Sequence, residues 1–184
     1  NWKNRKYYVV GNIVTSRVNG SQESITNTQN SLTHLFQRVD ASHVKVDTTR
    51  TSLTGTGGKI DIGKSSVGHW RYGGTFIWRS PELELNDVGF LRQADEIRQY
   101  SFVSHQTLKP FGYFRRINTR FEQYSSHDFE GNYNRMQYSL NGNANLKSNW
   151  NMNAQIVYKP RIYTNTILQG GPRFRYSEEV FQYL

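Results

Sequence analysis

The chain has 184 residues, no cysteine, 5 histidines, 14% aromatic residues and a formal net charge of +9, with a mean hydropathy of −0.76. The missing cysteines exclude a disulfide scaffold, a thiolate nucleophile and Cys-ligated zinc, and no apolar run is long enough for a transmembrane helix. With 12 Tyr, 10 Phe and 4 Trp the chain is also too aromatic to be a disordered, solvating segment, so a polar average beside many aromatics needs a structural explanation.

The chain opens at Asn1 without a methionine and closes at Leu184 in an apolar-looking stretch. It therefore reads as a section of a longer protein and is silent about targeting. Residues 1–184 read as a single region. Residues 5–18 suit a strand with weak alternation. Residues 19–40 form a long excursion with a helical turn expected around 25–36. Short strands are expected at 43–48 and 59–64. Between them, Gly55, Gly57 and Gly58 lack the Lys-Ser/Thr of a phosphate-binding loop and read as a turn or bulge.

Clear period-two alternation begins at 69–80, where Trp70, Tyr72, Gly74, Phe76 and Trp78 oppose Arg71, Gly73, Thr75 and Arg79. Residues 98–108 place Tyr100 and Phe102 on one face and His105 inward. In 113–124, Ile117, Thr119 and Phe121 oppose Arg116, Asn118, Arg120 and Glu122. In 135–147 the pattern is strict: Met136, Tyr138, Leu140, Gly142, Ala144 and Leu146 against Arg135, Gln137, Ser139, Asn141, Asn143, Asn145 and Lys147. Residues 150–158 repeat it with Trp150, Met152, Ala154, Ile156 and Tyr158 against Asn151, Asn153 and Gln155. A three-residue loop at 147–149 keeps both apolar faces on one side.

Tight connections at 65–68, 109–112 and 147–149 alternate with long ones at 82–97, 125–134 and 164–173. The expected fold is all-β: an antiparallel up-and-down meander of about eight strands, with short turns at one end and long loops at the other. The apolar faces need either a second sheet or lipid. Trp70 and Trp78, like Trp150 and Tyr158, are eight residues apart, roughly 26 Å along a strand. A tilt of roughly 40° reduces this to about 20 Å, near the ~25 Å apolar band between aromatic girdles. The pattern thus points to a section of an outer-membrane β-barrel. Trp70, Phe76, Trp78, Met136, Leu140, Leu146, Trp150 and Ile156 would face lipid. Arg71, Arg79, Arg116, Asn118, Arg120, Arg135, Asn141, Asn143, Asn145 and Asn153 would line a basic lumen with Glu122 as the main acid.

Several blocks resemble one family. Ser80 to Asp95 reads SPELELNDVGFLRQAD, similar to the S-P-G-F-E-x-N-D-x-G-F-L-x-x-A-D signature of the domain of unknown function 5916 family. FQRVD at 36–40, TSLTG from Thr51 and GKSSVGHWRY from Gly63 follow the same family's order. Glu82-Leu83 replaces the usual Gly-Phe, and Val39 the usual Pro. The resemblance implies a bacterial outer-membrane barrel of the Bacteroidota type, normally preceded by a carbohydrate-binding module, in proteins sometimes called membrane-associated hydrolases. It carries over no catalytic residue.

No catalytic residue, metal site or cofactor is expected. The loop motif Ser80, Pro81, Asn86, Asp87, Gly89, Phe90 and Asp95 carries carboxylates but no EF-hand spacing. It reads as an Asx-type turn in which Phe90-Leu91 packs the loop on the barrel. The histidines lack zinc-motif spacing. The expected partners are the lipid bilayer, outer-membrane proteins or other parts of the same barrel, and a glycan or anionic solute in the lumen. Nucleic acid is not expected, because the aromatics and arginines lie on opposite parities. Two other readings compete with the barrel: a surface hydrolase using the long loops, and a soluble carbohydrate-binding β-sandwich.

Overall fold

The computed structural model describes residues 6–86 and 89–184. The expected strand start at Arg5 and the motif residue Asp87 lie outside the described residues. The chain folds as β1 (Tyr7–Asn19), α1 (Gln22–Asn30), β2 (Ser52–Lys64), β3 (Trp70–Arg79), β4 (Glu96–Gln106), β5 (Phe114–His127), β6 (Tyr133–Leu146), β7 (Asn151–Lys159), β8 (Ile162–Thr164), β9 (Phe174–Tyr176) and β10 (Glu179–Tyr183). Eight strands form one antiparallel sheet in the order β1-β2-β3-β4-β5-β6-β7-β10, and β8-β9 is a separate hairpin. The meander is as expected. The sheet is open, with β1 and β10 at its edges.

The β6–β7 turn follows from its residues. The Leu146 amide donates to the Trp150 carbonyl at 2.8 Å and the Asn149 amide to the Leu146 carbonyl at 3.1 Å. Asn149 closes the loop in the left-handed region, with φ of 69°, which Asn tolerates better than most residues. In the helix, Ser21 caps the N-terminus by accepting from the Ser24 amide, and Glu23 lies in the positive first turn. The helix ends at Asn30, earlier than expected, and the turns after it bury Leu35 and Phe36.

Most of the buried apolar side chains lie outside the sheet. Ile25, Leu35, Phe36, Ala41, Val44, Leu83, Leu91 and Ala94 are buried in the connections at one end of the meander, which thereby form a cap. The cap docks on one face only. The backbone at Glu82–Leu83 presses against Gly55, the Leu83 side chain reaches Gly57, and the Glu84 amide donates to Ser16 Oγ at 3.0 Å. Gly55 pairs with Ser16 and Gly57 with Arg79, so these residues share the Arg79 face.

Several expectations change. Residues 43–48 are irregular: Gln29 brackets the Asp47 backbone through both its amide atoms, and Val44 packs with Phe36 and Ala41. Gly55, Gly57 and Gly58 form neither turn nor bulge but lie inside β2, whose register with β1 is unbroken. They are glycines because Leu83 covers the first two and the Trp78 ring the third. The long loop expected at 125–134 is short, residues 128–132, because β5 continues through a bulge to His127. The long connections expected at 19–40 and 82–97 run 20–51 and 80–95, the one expected at 164–173 runs 165–173, and β10 was not foreseen.

Gly55→Ala places a methyl group in the backbone of Leu83 and should detach the 80–95 loop at a cost of about 1–3 kcal/mol. Gly142→Ala, whose new Cβ would meet only the Ala154 carbonyl at 3.9 Å, should be neutral. Limited proteolysis of the loop separates the two; equal resistance would refute this packing.

Candidate functional site

Paired residues on adjacent antiparallel strands share a face, so the register assigns every strand side chain. Trp70, Phe76, Trp78, Met136, Leu140 and Ile156 lie on one face together with Ile60, Val103 and Phe121. Alternation puts Leu146 and Trp150 on it as well. This face is bare: Ile13 is 77% exposed, Trp150 69%, Leu140 50% and Ile156 46%.

The other face holds Arg71, Arg79, Arg116, Asn118, Arg120, Arg135, Asn141, Asn143, Asn145 and Asn153. Asn118, Asn143 and Asn153 form one cross-strand row, in which Asn143 donates to Asn153. Glu122 accepts from Tyr100 at 2.6 Å, Arg120 at 2.7 Å, Ser139 at 3.1 Å and Asn141 at 3.3 Å. Glu96 accepts from Arg79 at 2.8 Å and from Arg98 and Ser126 at 2.9 Å. Lys159 meets Glu179 at 2.9 Å. Arg71 spends its donors on turn carbonyls, including Gly68 at 2.7 Å, and Arg116 donates to Gln106 at 3.0 Å. Much of the arginine wall is therefore neutralised or hydrogen-bonded, with Glu96 as important as Glu122.

Two faces differ from expectation. His105 pairs with Trp70 on the bare face, its ring 4.7 Å from the indole. Tyr100 and Phe102 lie on the arginine face, where the Arg120 guanidinium stands 3.9 Å above the Phe102 ring. Aromatics and arginines are thus not fully segregated.

The cap adds buried charge over the same face. Asp95, 2% exposed, accepts from Arg38, from His43 Nε2 at 2.9 Å and from the Phe129 amide at 3.0 Å. Asp128 accepts from Arg173 at 2.8 Å and from the Glu130 amide at 3.1 Å. His34 is buried between Ser31 and the Leu83 carbonyl. Its burial lowers its pKa, only partly offset by Glu84.

The loop motif is structural. Ser80 Oγ accepts from the Thr56 amide at 2.8 Å, Pro81 is buried, and Asn86 Oδ1 accepts from the Leu91 amide at 3.0 Å. Leu91 packs with Leu83 and Ala94. Gly89 is exposed, and Phe90 points outward at 86% exposure instead of packing on the sheet. Glu82 faces Arg50, Glu84 accepts from the Asn86 amide, and Asp95 and Glu96 hold separate arginines. Among the described residues no group of three acidic, His or Cys side chains could hold a metal. Arg38, His43, Arg98 and Arg173 were missed as site residues; the Asp95-Glu96 doublet flanked by arginines was the available signal.

The architecture is an open meander with a bare apolar face and a hydrogen-bonded polar face that a loop cap overlies. Residues 4–168 match the family described as Domain of unknown function (DUF5916), and the chain belongs to that family. No curated protein and no solved structure matches it.

Replacing Asp95 by Ala leaves Arg38 charged and buried and should cost about 3–5 kcal/mol, read as loss of amide protection in the cap. The depressed His34 pKa means that the unfolded chain binds that proton first. Its stabilising contribution is complete above the ordinary value of 6.5 and falls as pH drops from there toward the folded value. Amide protection at Leu35 and Phe36, corrected for the pH dependence of intrinsic exchange, should therefore fall as pH drops below about 6.5, and His34→Gln should flatten that slope.

Proposed function

We propose that this chain is a section of an outer-membrane β-barrel whose polar face lines a solute path and whose cap narrows the mouth of that path. The observation that carries this reading is the asymmetry of cover. The cap lies entirely on the polar side, while Val9, Ile13, Ile62, Leu140, Met152 and Ile156 project from the other side into open space. Gln99, Ser101, Gln123 and Ser125 interrupt this face and hydrogen-bond in pairs across β4 and β5; in water the large apolar patches on either side of them are unfavourable, whereas against lipid tails they are favoured. The edges at β1 and β10 require further strands, because unpaired backbone groups cannot stand in a bilayer.

The competing readings have less support. A soluble sandwich needs a second sheet over the apolar face, and the other sheet among the described residues is the short β8-β9 hairpin. A hydrolase built on the cap would need a nucleophile at His43. Its Nε2 is held by Asp95, its Nδ1 has no hydrogen-bond partner among the described residues, and the adjacent Ser42 hydroxyl donates to Glu130.

Leu140→Arg should cost about 2–4 kcal/mol in a bilayer if Leu140 lies near the midplane, whereas Asn143→Arg should be tolerated. Folding titrations in lipid vesicles read the difference. A protein that stays monomeric without detergent and shows no penalty at Leu140 would refute the barrel. In planar bilayers the net positive polar wall should favour anions, and cation selectivity would count against a basic lumen.

A further inference from the structure

The cap and the strands beneath it line a cavity of about 110 Å³ that carries Arg79, Arg92, Arg98 and Arg135, with Glu96 as the one carboxylate among the described residues. Glu96 is already engaged by Arg79, Arg98 and the Ser126 hydroxyl. Arg92 and Arg135 make no hydrogen bond or ion pair with another described residue. Four guanidinium groups thus face one carboxylate. The nearby carboxylates of Asp95 and Asp128 are taken by Arg38, His43 and Arg173.

The register sets the spacing of this charge. Arg98 pairs with Ser126, and Ser126 with Arg135. Two arginines therefore flank a small residue, about 10 Å apart at the usual strand separation, and all three line the cavity. A second observation is independent of charge. Asn134, 7% exposed, lines the same cavity. Its Oδ1 accepts from the Asn165 amide at 3.2 Å, which leaves its Nδ2 a buried donor without a partner among the described residues. An unpaired buried donor beside surplus guanidinium groups is complementary to an acceptor-rich anion.

We infer that this cavity binds a tetrahedral oxyanion of the phosphate class, either free phosphate or a phosphomonoester carried by a small solute. Arginine forks engage phosphate oxygens in pairs, and the Asn134 amide supplies a neutral donor. The cavity opens on the polar face, which points to a solute in the lumen as the source. That last point rests on the barrel reading; the binding chemistry does not.

Calorimetric titration of the detergent-solubilised protein tests the site, with inorganic phosphate in one arm and glucose 1-phosphate in the other. Saturable binding in either arm is expected, and the tighter arm identifies the source. Arg135→Gln should weaken it by about tenfold or more, and Arg135→Lys, which keeps the charge but loses the fork, by less. Asn134→Asp keeps the acceptor for Asn165 and should abolish binding. Lys59→Gln, which removes a positive charge from the same face at a distance from the cavity, should change little. Equal losses for Arg135→Gln and Lys59→Gln would show diffuse attraction and overturn the site, as would the absence of saturable binding in folded wild-type protein. Phosphate binding by a protein that needs no detergent would keep the site and sink the barrel. A detergent-dependent protein without phosphate binding would do the reverse.

Discussion

The continuous antiparallel ladder from β1 to β10 is the constraint on which everything else depends. Each inner strand satisfies its backbone groups laterally, so its side chains are free to serve two different media. Because the side-chain period is two, a slip of one residue would exchange the faces. The pairing Leu140–Ile156 and its neighbour Asn143–Asn153 show the consequence: one residue type recurs on each side across several strands. The open sheet buries few apolar side chains of its own, and most of the buried apolar ones belong to the cap instead.

The cap obeys the opposite logic. It buries its own small apolar core and ties it down with Asp95 and Asp128, two carboxylates that are paid for by arginines and histidine from distant segments. Buried pairs of this kind favour one arrangement more than they add net stability. Here they hold residues 38–43, 95, 128–130 and 173 in a single cluster. The cap joins the sheet where glycines remove side chains from the polar face, so backbone meets backbone at Gly55. Interior glycines in a strand, costly in isolation, are the docking surface of a loop.

The net charge also becomes local. Much of the strand-borne positive charge is matched within reach, by Glu96, Glu122, Glu179 and Asp61. Arg92 and Arg135, beneath the cap, have no carboxylate partner among the described residues, and neither have Arg17, Lys64, Arg71 and Arg116 elsewhere on the sheet. A formal charge of +9 therefore describes a partly neutralised wall on which Arg79, Arg92, Arg98 and Arg135 share one cavity.

The sequence alone determined the strands where period two is clear, at 69–80, 113–124, 135–147 and 150–158, together with the β6–β7 turn and the residues of those strands that share each face. Those features are local: alternation and a three-residue loop need no distant partner. It did not reveal the role of Gly55, the irregular course of 43–48, the strand β10 or the pairing of Arg38 and His43 with Asp95. Each of these is decided by residues far away in the chain. Glycine in a strand looks like a turn until Leu83 is seen lying on it. A charged residue looks solvated until another loop buries it. Only the tertiary structure decided that the cap lies on the polar face and leaves the apolar one bare, because alternation fixes which residues share a face but not what the long connections choose to cover.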